Sequence, residues 1–218
     1  MMNLKAEIYR DIVANCDVLL DRLKDAELTN DTPEGRMIYQ CRWLKEQTQK
    51  NNLPLPVEDY IHTLRYVYTD SSLMHIASAE DKYWEEVQIY IHRLVKLTKG
   101  LPLIKPAYYP YAIRSIEALL VLLHTATRPL DQYEQGLIGE LTQLKRLLKK
   151  KGGGELPLES YLPDYPNFRE VYSMTGSSTE DLPNGKFLTK TVAHLVFEGV
   201  RPNTWVTPED ADRETIGL

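Results

Sequence analysis

A chain of 218 residues, 43% hydrophobic and 26% charged, has the composition of a folded globular protein rather than a disordered one. Its formal charge of −5 argues against a surface devoted to nucleic acid, which needs a basic face built from several elements. The longest apolar stretch, AIRSIEALLVLLHTA, is broken by Arg114, Glu117 and His124 and falls short of the roughly 18–20 residues that cross a bilayer, so no membrane contact is expected.

The opening residues MMNLKAEIYRDIV carry acids and no apolar run, which does not read as a secretory signal. Cys16 and Cys41 are the two cysteines, both at apolar positions of helical patterns. Two buried thiols fit a reducing compartment better than a disulfide does, and the cytoplasm is the expected location.

In chain order, Leu4, Ile8, Ile12, Cys16, Leu19 and Leu23 repeat at steps of three or four and predict a first helix, with Asn3 available as a cap. A second is expected to start at Pro33 behind Thr32 as N-cap, with Met37, Cys41 and Leu44 on its apolar face. Pro54 and Pro56 stop it, because neither has an amide to continue the ladder. Val57, Ile61, Leu64 and Tyr68 predict a third helix, and Ser78 with Asp81 would cap a fourth. The fourth carries Tyr83, Val87, Tyr90, Leu94 and Leu97 in step and ends at Gly100.

The prolines of LPLIKPAYYP force an extended connection. A fifth helix over about 110–127 is apolar nearly all round, which predicts a central position covered on several sides. A sixth begins near Asp131 and follows Tyr133, Leu137, Leu141, Leu144 and Leu148. Gly136 and Gly139 each weaken it by roughly 1 kcal/mol relative to Ala, and they leave room for a neighbouring helix to approach.

After Gly152–Gly154 the pattern changes. ELPLESYLPDYPNF reads as an extended surface segment and FREVYSM as one or two helical turns. Asn184-Gly185 suggests a tight turn. KFLTKTVAHLVFEGV fits both helix and strand; helix is favoured because no partner strand is evident. Thr207 and Pro208 predict the start of a last helix. The expected architecture is all-α: a bundle of about six helices over residues 1–151 and an irregular, partly helical C-terminal extension over 152–218.

The chemistry-bearing motifs are weak. Lys145, Arg146, Lys149, Lys150 and Lys151 make five positive charges with no acid among them. They sit where a helix C-terminus favours cations, so the cluster reads first as a helix end and second as a contact for nucleic acid or an acidic partner. GGG follows a helix rather than preceding one and lacks the Gly-Lys-Ser/Thr of a phosphate loop. His62, His75, His92, His124 and His194 show no His-x-x-x-His or Glu-x-x-His spacing, so no metal or other cofactor is called for. No Gly-x-Ser-x-Gly elbow occurs. Arg114 and His124 could suggest an RNA-cleaving pair, but about 15 Å of rise separates them along one helix, and a buried Arg114 paired with an acid such as Glu117 is the plainer alternative. The clustered acids of AEDKYWEE and TPEDADRE lack the central glycine of a calcium loop.

What remains is surface character. The 14 tyrosines far outnumber the 3 Phe and 3 Trp, and Tyr108, Tyr109, Tyr111, Tyr161 and Tyr165 fall on connections rather than on helical core positions. Such rings either meet a partner or pin loops to a bundle. Residues 155–218 hold five basic and eleven acidic side chains, giving an acidic C-terminal part. The expected function is a non-enzymatic protein-interaction module (adaptor, assembly subunit or inhibitor) whose partner is another protein. A nucleic-acid-associated subunit using Lys145–Lys151 with Arg42, Lys45 or Arg93 is the second reading, and an enzyme with an inter-helix site near Arg114 or His124 the third.

Overall fold

The computed structural model describes residues 4–24, 33–58, 82–150, 164–173, 178–182 and 184–215. Among them are eight α-helices and no strand: α1 (Leu4–Arg22), α2 (Pro33–Gln49), α3 (Lys82–Thr98), α4 (Tyr109–His124), α5 (Gln132–Lys150), α6 (Pro166–Ser173), α7 (Gly185–Val192) and α8 (Pro208–Thr215). The fold is all-α. The helix expected over Val57–Tyr68 and the Ser78/Asp81 cap lie outside the described residues, apart from Val57 itself.

The chain divides into two compact units, residues 1–103 and 104–218. In the first, α1 packs against α2 and α3, and the sequence periodicity is met by burial. Ile8, Ile12, Cys16, Leu19 and Leu23 enclose a core with Met37, Cys41 and Leu44 of α2 and Val87, Leu94 and Leu97 of α3. The α1–α2 pair is antiparallel: Tyr9 hydrogen-bonds through its hydroxyl to the Leu53 carbonyl just past α2, while Asp17 pairs with Lys45 further back along it. Gly100, with φ +79°, ends α3 as expected, and the Val57 amide ties the incoming link to the Thr98 carbonyl at 2.7 Å.

In the second unit α4 packs against α5, α7 and α8, and α6 lies on α5. The bundle-to-extension seam expected at 151/152 falls among residues 151–163, outside the described ones, whereas the compact division lies at 103/104. The physical reason is where each helix finds cover. Residues before 103 close their own core, while α4 and α5 bury their apolar faces against Tyr165, Phe168, Val171, Leu188 and Phe197. The ambiguous 186–200 stretch is helix. α7 runs on into a π-helical turn, Ala193–Phe197, closed by the Glu198 amide on the Ala193 carbonyl at 2.9 Å.

The helix starts have identifiable causes. Asp131 Oδ1 accepts the Tyr133 and Glu134 amides at 2.8 Å each, while Glu134 Oε2 reaches back to the Asp131 amide at 3.0 Å, a reciprocal capping box for α5. Glu134, fully buried, also takes a bidentate pair from Arg128 at 2.7 and 2.8 Å. Thr207 and Asp210 form the same device at α8, and the Thr207 amide holds the Asp210 carboxyl below the usual carboxylate range. The start of α6 is capped from outside: Glu140 of α5 accepts the Asn167 and Phe168 amides at 2.9 and 2.7 Å. Gly136 makes that approach possible, since a Cβ there would stand 2.5 Å from the Asn167 side chain. Gly139 has nothing within 4 Å and serves no such contact.

Candidate functional site

The tyrosine-rich connection leading into α4 turns inward. Tyr108 and Tyr111 are buried, with their rings against Trp205 at centroid separations of 6.3 and 5.4 Å. The Tyr108 hydroxyl donates to the carbonyls of Trp205 and Val206 at 3.2 and 3.1 Å, and that of Tyr111 to Pro208 at 2.6 Å. Burial, reinforced by Asp212, pushes the Tyr111 phenol up. Arg201, only 1% exposed, donates through Nε to the Trp205 carbonyl at 2.9 Å and lies 4.6 Å from the Tyr108 ring centre. The cation–π contact and hydrogen bond offset part of the cost of enclosing that charge. Tyr165 is buried against Phe197 at 5.6 Å. Tyr109 is half-buried against the same core, and Tyr161 lies outside the described residues.

These placements correct the reading of Tyr108, Tyr111 and Tyr165 as partner-facing rings. Each has a polar tip and an apolar ring, and each is covered by the chain itself. The tyrosines pin connections to the core.

Arg114 is corrected as well: its partner is Asp212 of α8 at 3.0 Å, not Glu117, and its guanidinium lies 4.3 Å from the Tyr111 ring centre. Glu117 instead meets the basic end of α5, at 2.8 Å from Lys149 and 3.9 Å from Lys145. These are exposed pairs, of the kind worth about 0–1 kcal/mol. Arg146 is exposed on the same helix. The side chain of Lys150 and the whole of Lys151 lie outside the described residues. Arg42, Lys45 and Arg93 belong to the first unit, where Lys45 pairs with Asp17 and Arg93 lies 5.3 Å from the Tyr90 ring centre.

The opposite end of α4 is open. Glu117, Leu120, Val121, His124 and Thr125 line one wall of a shallow groove, and Thr142 and Lys145 of α5 line the other, enclosing about 500 Å³. Val121 is 62% exposed there. The backbone of this last turn is tied locally: Thr125 Oγ1 donates to the Val121 carbonyl at 2.9 Å, and His124 Nδ1 lies 2.6 Å from the Leu120 carbonyl. A carbonyl only accepts, so Nδ1 carries the hydrogen, and in the neutral ring Nε2 is left as an acceptor. The groove therefore presents the exposed Val121 side chain, with His124, Glu117 and Lys145 among its polar lining residues.

A second, smaller recess of about 370 Å³ lies at the start of α7, formed by Leu182, Asn184, Gly185, Lys186, Phe187 and Lys190, with Phe187 half exposed. Elsewhere on this unit the Tyr172 hydroxyl donates to Glu198 at 2.6 Å, and His194 stands 3.8 Å from the same carboxylate. Burial and the Glu198 contact raise the Tyr172 phenol. No local pattern announces this cluster, because Tyr172 lies 26 residues from Glu198.

Every apolar position of α4 reads as core from the sequence, Val121 included, although its side chain is exposed. The available signal was excess: a helix apolar on all sides has more apolar surface than its neighbours cover. Among the described residues, no group of three or more His, Cys, Asp or Glu side chains is close enough to hold a metal ion. No described helix is long and apolar enough to cross a membrane. Comparison with family models, with curated proteins and with solved structures finds no match.

Proposed function

We propose that this chain is a non-enzymatic protein-interaction module, an adaptor or assembly subunit, and that the α4–α5 groove is its docking face. The observation that carries the reading is Val121, an aliphatic side chain 62% exposed on the most apolar of the described helices, in the wall of an open groove. An exposed aliphatic side chain in a groove with a polar rim is a contact that a partner protein can cover. The rim narrows the partner: an apolar side chain would cover Val121 and Leu120, and a carboxylate would compete with Glu117 for Lys145 and Lys149. An acidic, amphipathic segment of another protein meets both requirements. The cytoplasm is the compartment proposed for it, on the strength of two cysteines that are both free thiols.

The test is purification of the tagged full chain from its native host, as wild type and as Val121→Asp, with mass spectrometry of what accompanies each. The reading expects one stoichiometric partner with the wild type and its loss from the variant, at unchanged thermal stability. A clean monomer with no stoichiometric companion, or a partner retained equally by both, contradicts it.

A further inference from the structure

Asn184-Gly185 is the one Asn-Gly pair in the 218 residues. Glycine puts no side chain over its own amide nitrogen, so that nitrogen can reach the carboxamide carbon of the asparagine before it. Asn184 is exposed and its side chain makes no capping hydrogen bond to α7, which leaves the carboxamide open to water. The main chain around it is fixed. Asn184 holds φ 61° and ψ 5°, left-handed values that a non-glycine residue rarely takes. At a ψ near zero the Gly185 nitrogen eclipses the backbone nitrogen of Asn184 rather than its side chain, and a ring between them cannot close. Rotation about ψ is opposed from both sides: the Gly185 amide donates to the Leu182 carbonyl, and the Leu188 amide to the Asn184 carbonyl, at 2.9 Å each. Gly185 is also buried, where an added Cβ would stand 2.0 Å from the Thr179 carbonyl oxygen, so the chain has no room to swing.

We propose that Asn184 is a latent deamidation site, held shut by the folded start of α7 and modified when that start opens. The Gly185 amide nitrogen, having given up its proton, attacks Cγ of Asn184. The new C–N bond closes a succinimide, and ammonia leaves. Water then opens the ring. Cleavage of the new bond gives aspartate, and cleavage of the bond to the original main-chain carbonyl gives isoaspartate. One water is consumed, one ammonia is released and a neutral amide becomes a carboxylate, with no oxidant needed.

The two products differ in what α7 can do next. Aspartate keeps the main chain unchanged, and its carboxylate is favoured at the N-terminus of α7, in a recess that Lys186 and Lys190 also line. Isoaspartate inserts a methylene into the main chain directly before Gly185, where the Thr179 carbonyl leaves no space for an added carbon. The site thereby turns a transient local opening into one that does not reclose.

The full-length chain is held in mildly alkaline buffer, folded and in denaturing guanidinium chloride, then digested with trypsin and weighed. The unfolded chain is expected to convert fragment 170–186 to a form in which OH replaces NH2, and the folded chain to do so at least about tenfold more slowly. Hydroxylamine, which cuts at a succinimide, is expected to sever residue 184 from 185 in the unfolded chain first. Asn184→Asp supplies the aspartyl product directly and should melt with the wild type. The isoaspartyl fraction, refolded, should exchange the amides of residues 185–192 at least about tenfold faster than Asn184→Asp does. If that variant fails to fold, the wild type is the reference. Equal conversion of folded and unfolded chains would show that the turn holds nothing shut, and no conversion in denaturant would show that the site is inert. An isoaspartyl chain that exchanges like its reference would overturn the failure to reclose.

Discussion

The two ends of α4 begin from similar material and reach opposite environments. At the N-terminal end, Tyr108 on the proline-rich connection and Tyr111 in the first turn of α4 are amphipathic rings, and residues 201–211 fold over them with Arg201, Trp205 and the start of α8. At the C-terminal end, Val121 is wholly apolar and stays bare, although Leu120 beside it is buried. Residue type alone would assign the surface to the first end and the core to the second. What separates them is supply. A covering segment with matching carbonyls and an indole reaches one end, and among the described residues only the edge of α5 borders the other.

That contrast can be broken from either side. Trp205→Ala removes the ring that both tyrosines pack against and should cost about 3–5 kcal/mol of stability, read by urea denaturation. A loss below about 1 kcal/mol would mean the tyrosine end is not the closed core described here. Tyr108→Phe keeps the ring and deletes only the hydroxyl that serves two carbonyls, with an expected loss of about 1 kcal/mol. Val121→Asp should fall within about 0.5 kcal/mol of wild type, because its side chain is already in water. A large destabilisation by that change would place Val121 in the core and remove the groove from consideration.

Local signals carried much of the fold. The step of Ile8, Ile12, Cys16 and Leu19 matched a buried stripe, and Thr207-Pro208 and Asp131 stood where helices begin, because a cap or an amphipathic face is decided within a few residues. The candidate site was far less legible. Asp212, not the nearby Glu117, takes Arg114, across 98 residues of sequence, and Trp205 covers tyrosines almost as distant from it. Whether a tyrosine on a connection faces solvent depends on which segment returns to cover it, and helical periodicity holds no record of that.

The contrast between the ends of α4 is open to one direct measurement. A photo-crosslinking residue is introduced in place of Val121 in one version of the full chain and in place of Ala107, exposed beside the tyrosine connection, in another. Each version is irradiated in native-host cells. The account predicts a discrete crosslinked species of partner and chain from position 121 and none from position 107. Crosslinking from 107 with none from 121 would contradict it, and would return the interaction face to the tyrosine end.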